Sequence, residues 1–186
     1  MKIVFIHGAN STSKSFNYIR SQLPEHTAIM VEYSTEMPLA FNIDEIRKSL
    51  PDDDFHIIAH SLGGIIAITL ANILPNVKKV ITMSSPFGGS GTADLLKWVF
   101  PQNQMFKDIN SSSSIITRLV KPTADVLSIV STSGGIPIIP TKNDGVVSVS
   151  SQKAIPNLNY IEVDTNHFEI LLDNHVIDLI KIHLDK

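Results

Sequence analysis

The sequence predicts an α/β fold in which a mostly parallel sheet carries helices on both faces. Short apolar runs rich in β-branched residues alternate along the chain with segments of helical spacing. These runs show little alternation of apolar and polar residues, which is typical of strands buried on both sides. The chain has 186 residues, so we expect a single domain spanning residues 1–186.

The expected strands are, in chain order, 2–6, 27–32, 55–59, 77–83, 125–131 and 159–163. The expected helices lie at about 15–23, 43–50, 65–74 and 170–184. Asp44 and Glu45 indicate the start of the second helix, because acidic side chains are favourable near a helix N-terminus. Pro75 indicates the end of the third helix, because proline cannot continue a helix.

Residues 88–122 interrupt this alternation and are predicted to be a helical insertion. One apolar segment there contains Trp98 and Phe100, and a second, around Ile115 and Leu119, has helical spacing. Insertions of this length in a compact domain are usually functional. A cap or lid over a site and ordinary packing of helices on the sheet both remain open.

The composition excludes several classes of function. The net charge is −3 and no basic run is present, so we expect no nucleic-acid partner. The chain has no cysteine, which excludes disulfides, thiolate zinc sites and a cysteine nucleophile. No metal-binding pattern is visible, and we expect no cofactor. We expect a cytoplasmic protein without a transmembrane segment, because the N-terminal apolar run is too short for a signal peptide. The oligomeric state stays open.

The stretch Ala-His-Ser-Leu-Gly-Gly at 59–64 lies between a predicted strand and a predicted helix. A serine at such a tight turn is held away from the backbone, which exposes its oxygen as a nucleophile. Small residues two positions before and after Ser61 would let the helix cross the strand closely. The alternative is that Ser61 is a buried helix N-cap.

Ligands bind at the carboxyl ends of parallel strands, where two further candidates fall. A serine hydroxyl needs a base, and His167 follows the last predicted strand directly. Asp144, after the preceding strand, could orient that histidine, although Asn-Asp-Gly is also an ordinary turn signal. Asp164 is the main rival acid, and Asp125 lies at the opposite end of its strand.

Five of the other histidines are predicted to have no part in the reaction. His60 is expected to point away from the turn, and the rest to be structural or exposed: His26, His56, His175 and His183. Donors for a developing negative charge are expected from the backbone N–H groups of Leu62 and Ala9, with Gly8 allowing close approach of a substrate.

These motifs resemble the α/β-hydrolase superfamily, and within it the small bacterial lipases and esterases. The matching segments, in family order, are His7-Gly8, the turn at 60–64, Ser85-Pro86 with 89–94, the run at 144–147, and Asn166-His167. The resemblance implies a minimal α/β-hydrolase fold with about six strands. Ala59 stands where most members have glycine, and Phe87 where histidine is usual, so no polar role transfers to Phe87.

The sequence therefore predicts a serine carboxylic-ester hydrolase with Ser61 as nucleophile, His167 as base and Asp144 as acid. The expected partner is a small-molecule ester with an apolar acyl group, which would contact Trp98, Phe100 and Phe106 in the insertion. A thioesterase or acyltransferase would use the same three residues. A catalytically silent hydrolase fold that acts as a binding module is the alternative of a different class.

Overall fold

A computed structural model describes residues 1–89, 113–135 and 141–185, and in it six parallel strands form one sheet. The strands are β1 (Lys2–Ile6), β2 (Thr27–Val31), β3 (Phe55–His60), β4 (Val77–Met83), β5 (Asp125–Ser131) and β6 (Asn159–Val163). Their order across the sheet is β2-β1-β3-β4-β5-β6, so β2 and β6 are its edges. The prediction of a parallel, six-stranded sheet is confirmed.

The helices of the described residues are α1 (Asn17–Ser21), α2 (Leu39–Lys48), α3 (Leu62–Ile73), α4 (Ser114–Thr117), α5 (Val149–Gln152) and α6 (Asn174–Asp185). Short 3₁₀ turns at Ser13–Phe16 and Glu169–Leu171 precede α1 and α6. The predicted helices at 15–23 and 170–184 are therefore each divided into a 3₁₀ turn and a shorter α-helix.

Two helices start at other residues than the sequence predicts. The carboxylate of Asp173 accepts hydrogen bonds from the backbone N–H groups of His175 and Val176, which starts α6 at Asn174. Helix α2 begins at Leu39, directly after Pro38, and the Leu39 side chain is fully buried in the core. Asp44 consequently lies inside α2, where its carboxylate pairs with the Arg47 and Lys48 side chains along the helix.

The sheet is buried on both faces, as the apolar strands predict. Successive residues of β1 point to opposite sides, so Val4 and Ile6 join one core while Ile3 and Phe5 join the other. The first core is covered by α2 and α3, and the second by α1 and α6. Buried strands and two covering layers hold the carboxyl ends of β1, β3 and β4 side by side.

The predicted insertion is described only at its two ends. Gly88 donates its backbone N–H to the carbonyl of Ser151, 2.9 Å away, and α4 occupies the other end. Trp98, Phe100 and Phe106 lie outside the described residues. Phe87 is buried in the core, as expected for a residue without a polar role. Within the described ranges, no helix has the length and apolar character that crossing a bilayer requires.

Candidate active site

Ser61 occupies a sharp turn between the end of β3 and the start of α3. Its backbone has φ 53° and ψ −122°, a conformation that residues other than glycine rarely adopt. The turn is fixed by a hydrogen bond from the Ser61 N–H to the carbonyl of Met83 on β4, at 2.8 Å. Such strained residues persist only where the surrounding structure holds them, and they concentrate at functional sites.

Two glycines allow α3 to leave this turn close to neighbouring strands. A Cβ atom on Gly63 would lie 2.2 Å from the carbonyl oxygen of Ile6. A Cβ atom on Gly64 would lie 1.9 Å from the hydroxyl of Ser85. Both distances are far below contact, so the small residues after Ser61 have the steric cause that the sequence suggests.

The predicted base and acid meet at this turn. The Ser61 Oγ lies 3.1 Å from Nε2 of His167, and Nδ1 of His167 lies 2.8 Å from Oδ2 of Asp144. A carboxylate only accepts hydrogen bonds, so Nδ1 carries the proton and Nε2 is free to accept from the serine. His167 and Asp144 are both buried, and the His167 N–H also donates to the Asp144 carbonyl, at 3.0 Å.

Asp144 is surrounded by hydrogen-bond donors. Its Oδ1 accepts from the backbone N–H groups of Val146 and Val147, and its Oδ2 accepts from the Ser131 hydroxyl at 2.5 Å. Burial acts to raise the pKa of Asp144, but hydrogen bonds and the charge interaction with His167 outweigh it and hold the pKa below its usual value. The carboxyl group is therefore ionised at neutral pH.

The rival acids are placed differently. Asp164 is exposed in the loop after β6, and the described contacts of His167 do not include it. Asp125 is the first residue of β5, at the opposite end of the sheet from Ser61, and its carboxylate lies 3.7 Å from the His183 ring. Of the three acids that the sequence offered, the structure brings only Asp144 to the histidine.

His60 has a structural contact that the sequence did not predict. Its Nε2 donates to the backbone carbonyl of His167 at 2.8 Å. This bond ties the loop after β6 to the end of β3. Burial, together with the neighbouring His167, lowers the pKa of His60 to about 3, so the ring is neutral. Among the other histidines, His56 is buried and His175 is exposed.

We predict that the neutral His60 ring makes the protein sensitive to acid. The unfolded chain binds a proton here below about pH 6.5, whereas the folded protein does so only near pH 3. The free energy of unfolding therefore falls as the pH drops through this window, by up to about 1.4 kcal/mol per pH unit. Burial also lowers the pKa of His56, which adds in the same direction.

Urea unfolding of wild type and His60→Gln at several pH values between 4 and 7 measures this effect. The glutamine keeps an N–H donor without titrating, so its free energy of unfolding should depend less steeply on pH. His175→Gln on the surface of α6 is the matched control and should keep the wild-type slope. Equal slopes in His60→Gln and wild type would contradict the prediction.

The loop after β1 lies against Ser61. A Cβ atom on Gly8 would lie 3.1 Å from the Ser61 Cβ, and Ala9 is the next residue of this loop. The buried His7 ring stacks on Tyr33 at 4.3 Å, and the Tyr33 hydroxyl donates to the His7 carbonyl. Leu62 begins α3, where a backbone N–H has no acceptor within the helix. These contacts fix the loop beside the serine.

Two exposed apolar side chains follow His167 along the chain, and neither was predicted from the sequence as a site residue. Phe168 is 63% exposed, and its ring lies edge-on to the His167 ring with 5.2 Å between centroids. Leu172, four residues later, is 62% exposed. Because Phe168 directly follows the predicted base His167, the sequence alone could have placed it beside the site. Within the described ranges, no cluster of acidic or histidine side chains is arranged to hold a metal ion.

Comparisons with known proteins identify the family and the fold of the chain. A family model described as the alpha/beta hydrolase fold matches residues 7–110. No curated protein matches the sequence significantly. Among solved structures, the chain is similar to lipase BlEst2 of Bacillus licheniformis in its mature form, with a TM-score of 0.70 and 18% identity over 98% of this chain and 91% of that one.

Two other solved structures have a similar fold. A lipase-esterase related protein from Clostridium acetobutylicum has a TM-score of 0.66 and 17% identity, over 98% of this chain and 93% of that one. The metagenomic carboxyl esterase MGS0156 has a TM-score of 0.67 and 16% identity, over 90% of this chain and 64% of that one. At these identities the likeness concerns the fold. With the family match over more than half of its length, the chain belongs to the α/β-hydrolase superfamily.

Proposed function

We propose that the protein is a serine hydrolase of carboxylic esters that acts through an acyl-enzyme on Ser61. The observation that carries this proposal is the hydrogen-bonded series Ser61–His167–Asp144 at a strained strand-to-helix turn. The family supports a hydrolase, and lipases and esterases are among the solved structures that share its fold. A binding module without catalysis would have no need of this alignment of donors and acceptors.

In the proposed reaction, the Ser61 oxygen attacks the ester carbonyl carbon while its proton passes to Nε2 of His167. The negative charge on the carbonyl oxygen is stabilised by the N–H groups of Leu62 and Ala9. His167 then gives the proton to the departing alcohol oxygen. Water, deprotonated by the same nitrogen, then attacks the acyl carbon. The bond from that carbon to the Ser61 oxygen breaks, His167 returns the proton to this oxygen, and the acid leaves. Asp144 stabilises the imidazolium in both halves without taking its proton.

A fluorophosphonate probe followed by mass spectrometry of the digested protein tests this proposal. Such probes bond to a serine oxygen only when a base activates it, so a single adduct on Ser61 is expected. The urea-unfolded protein is the control and should stay unlabelled, because its serine has no base within reach. An adduct on another residue, or equal labelling of the unfolded chain, would contradict the proposal. Thioester and oxyester substrates compared on the same preparation separate esterase from thioesterase activity.

We propose further that Phe168 contacts the apolar acyl group of the substrate. The Phe168→Ala variant should lower kcat/KM for a nitrophenyl octanoate about 10-fold, because about 1.4 kcal/mol of apolar contact is lost. The acetate ester has only a methyl group to place against the ring and should be little affected. Phe41→Ala, another exposed phenylalanine, on α2, is the control. A uniform loss over all chain lengths, or a wild-type preference for acetate, would contradict this assignment.

A further inference from the structure

A buried chain of polar side chains continues from Asp144 away from Ser61. The Ser131 hydroxyl at the end of β5 donates to Asp144 Oδ2 at 2.5 Å, and the Ser84 hydroxyl lies 2.6 Å from Ser131 Oγ. Gln152 of α5 donates its amide N–H to the same Oδ2 at 3.2 Å. All four side chains are buried, with relative exposures of 1% or less. The proposed reaction assigns no role to the two serines and the glutamine.

The directions of these hydrogen bonds follow from counting protons. A carboxylate accepts only, so the single hydroxyl proton of Ser131 goes to Asp144. Ser131 is therefore the acceptor in its contact with Ser84, and Ser84 is the donor. Ser84 adopts φ 53° directly after β4, a costly conformation for serine that points to an imposed placement. The hydroxyl groups of Ser84 and Ser131 therefore both donate in the direction of Asp144, and each hydrogen bond strengthens the next.

The Gln152 side chain binds the backbone of Ser131. Its Oε1 accepts from the Ser131 backbone N–H at 3.1 Å, and its Nε2 also donates to the Ser131 carbonyl at 3.0 Å. These two bonds orient the amide, and its remaining N–H lies between Asp144 Oδ2 at 3.2 Å and the Val147 carbonyl at 3.4 Å. Oδ2 is also the oxygen that accepts from His167. Ser131 and Gln152 therefore share with His167 the one oxygen that would stabilise the imidazolium.

We propose that Ser131 and Gln152, with Ser84 behind Ser131, are positioning residues that act through Asp144. They keep the carboxyl group ionised, hold Oδ2 toward His167, and withdraw part of its charge, which moderates the proton affinity of His167. Their effect on turnover rests on the proposed function of Ser61 and His167. Their effect on the titration of His167 does not, because it needs only the contacts described above.

Ring-¹⁵N NMR titration of His167 in the full chain tests the proposal. Ser131→Ala removes one donor from Oδ2, leaves more charge facing the ring, and should raise the titration midpoint of His167 by about half a pH unit. The same replacement in an Asp144→Asn background should leave the midpoint unchanged, because no carboxylate remains to transmit it. Ser128→Ala is the matched control, since Ser128 is buried on the opposite face of β5.

Measurement of kcat and KM on the same proteins is the second test. Ser131→Ala should lower kcat about 3- to 10-fold with KM unchanged, and should have little further effect when Asp144 is already asparagine. Ser131→Cys, which keeps a side chain of similar shape but a weaker donor, replaces the alanine variant if that protein unfolds and should change kcat in the same direction.

An unchanged His167 midpoint in a folded Ser131 variant, or equal shifts with and without Asp144, would overturn the proposal. An absence of Ser61-dependent turnover in wild type would instead contradict the proposed function. The titration would still decide the role of Ser131 in that event, so the two failures are distinguishable.

Discussion

Replacing Ser61 by alanine should lower kcat about 10⁵- to 10⁶-fold on a nitrophenyl ester, with a much smaller change in KM. The hydroxyl 3.1 Å from His167 Nε2 is the atom that would form the acyl bond, and no other group takes its place. The residual rate comes from the remaining N–H donors and from substrate binding. Initial rates of wild type and Ser61→Ala, measured with enzyme in excess over the ester, give the size of the effect.

Ser21→Ala is a suitable control, because Ser21 is an exposed serine whose hydroxyl donates only to the nearby carbonyl of Tyr18. That variant should keep wild-type rates. The Ser61→Ala protein should have the same circular dichroism spectrum as wild type, since alanine meets the same backbone strain at φ 53°. Turnover that survives the loss of the Ser61 hydroxyl would assign the nucleophile elsewhere.

Asp144→Asn should lower kcat about 10⁴-fold while Asp164→Asn leaves it near the wild-type rate. An amide at position 144 can turn its NH₂ group toward Nδ1 of His167. The ring proton then moves to Nε2, where it blocks acceptance of the Ser61 proton. Asp164 is exposed after β6 and has no described contact with the ring.

The pair of variants is measured with the same ester and at several pH values. The loss in Asp144→Asn should persist across the range, because it comes from the wrong tautomer and not from a shifted titration. Asp164→Asn serves as the charge-matched control, since both replacements remove one carboxylate after strands of the same sheet. A large loss in Asp164→Asn with a small one in Asp144→Asn would reassign the acid.

The strands could be predicted closely because a strand that is buried on both faces consists almost entirely of apolar residues, which form a recognisable short run. Four of the six predicted strands have the bounds found in the structure: 2–6, 77–83, 125–131 and 159–163. Helix ends were predicted less well because one side chain decides them. Asp173 caps α6, and its carboxylate competes with continuation of the preceding turn.

The candidate residues Ser61, Asp144 and His167 were found because each follows a strand, and parallel strands end at one edge of the sheet. Their surroundings could not be found this way. The contacts of Asp144 with Ser131 and Gln152, and of His60 with the His167 carbonyl, depend on loop conformations and on the register of distant segments. A single sequence carries no local signal for such pairs.

The order of the strands has a consequence for when the site first exists. Ser61 is separated from His167 by 106 residues, and the loop bearing His167 follows β6, the last strand to join the sheet along the chain. A nascent chain on the ribosome can fold β1, β3 and α3 around the serine long before that strand emerges. The proposed nucleophile would then remain without its base until the loop after β6 has been made, so the partly folded chain would not yet react with esters.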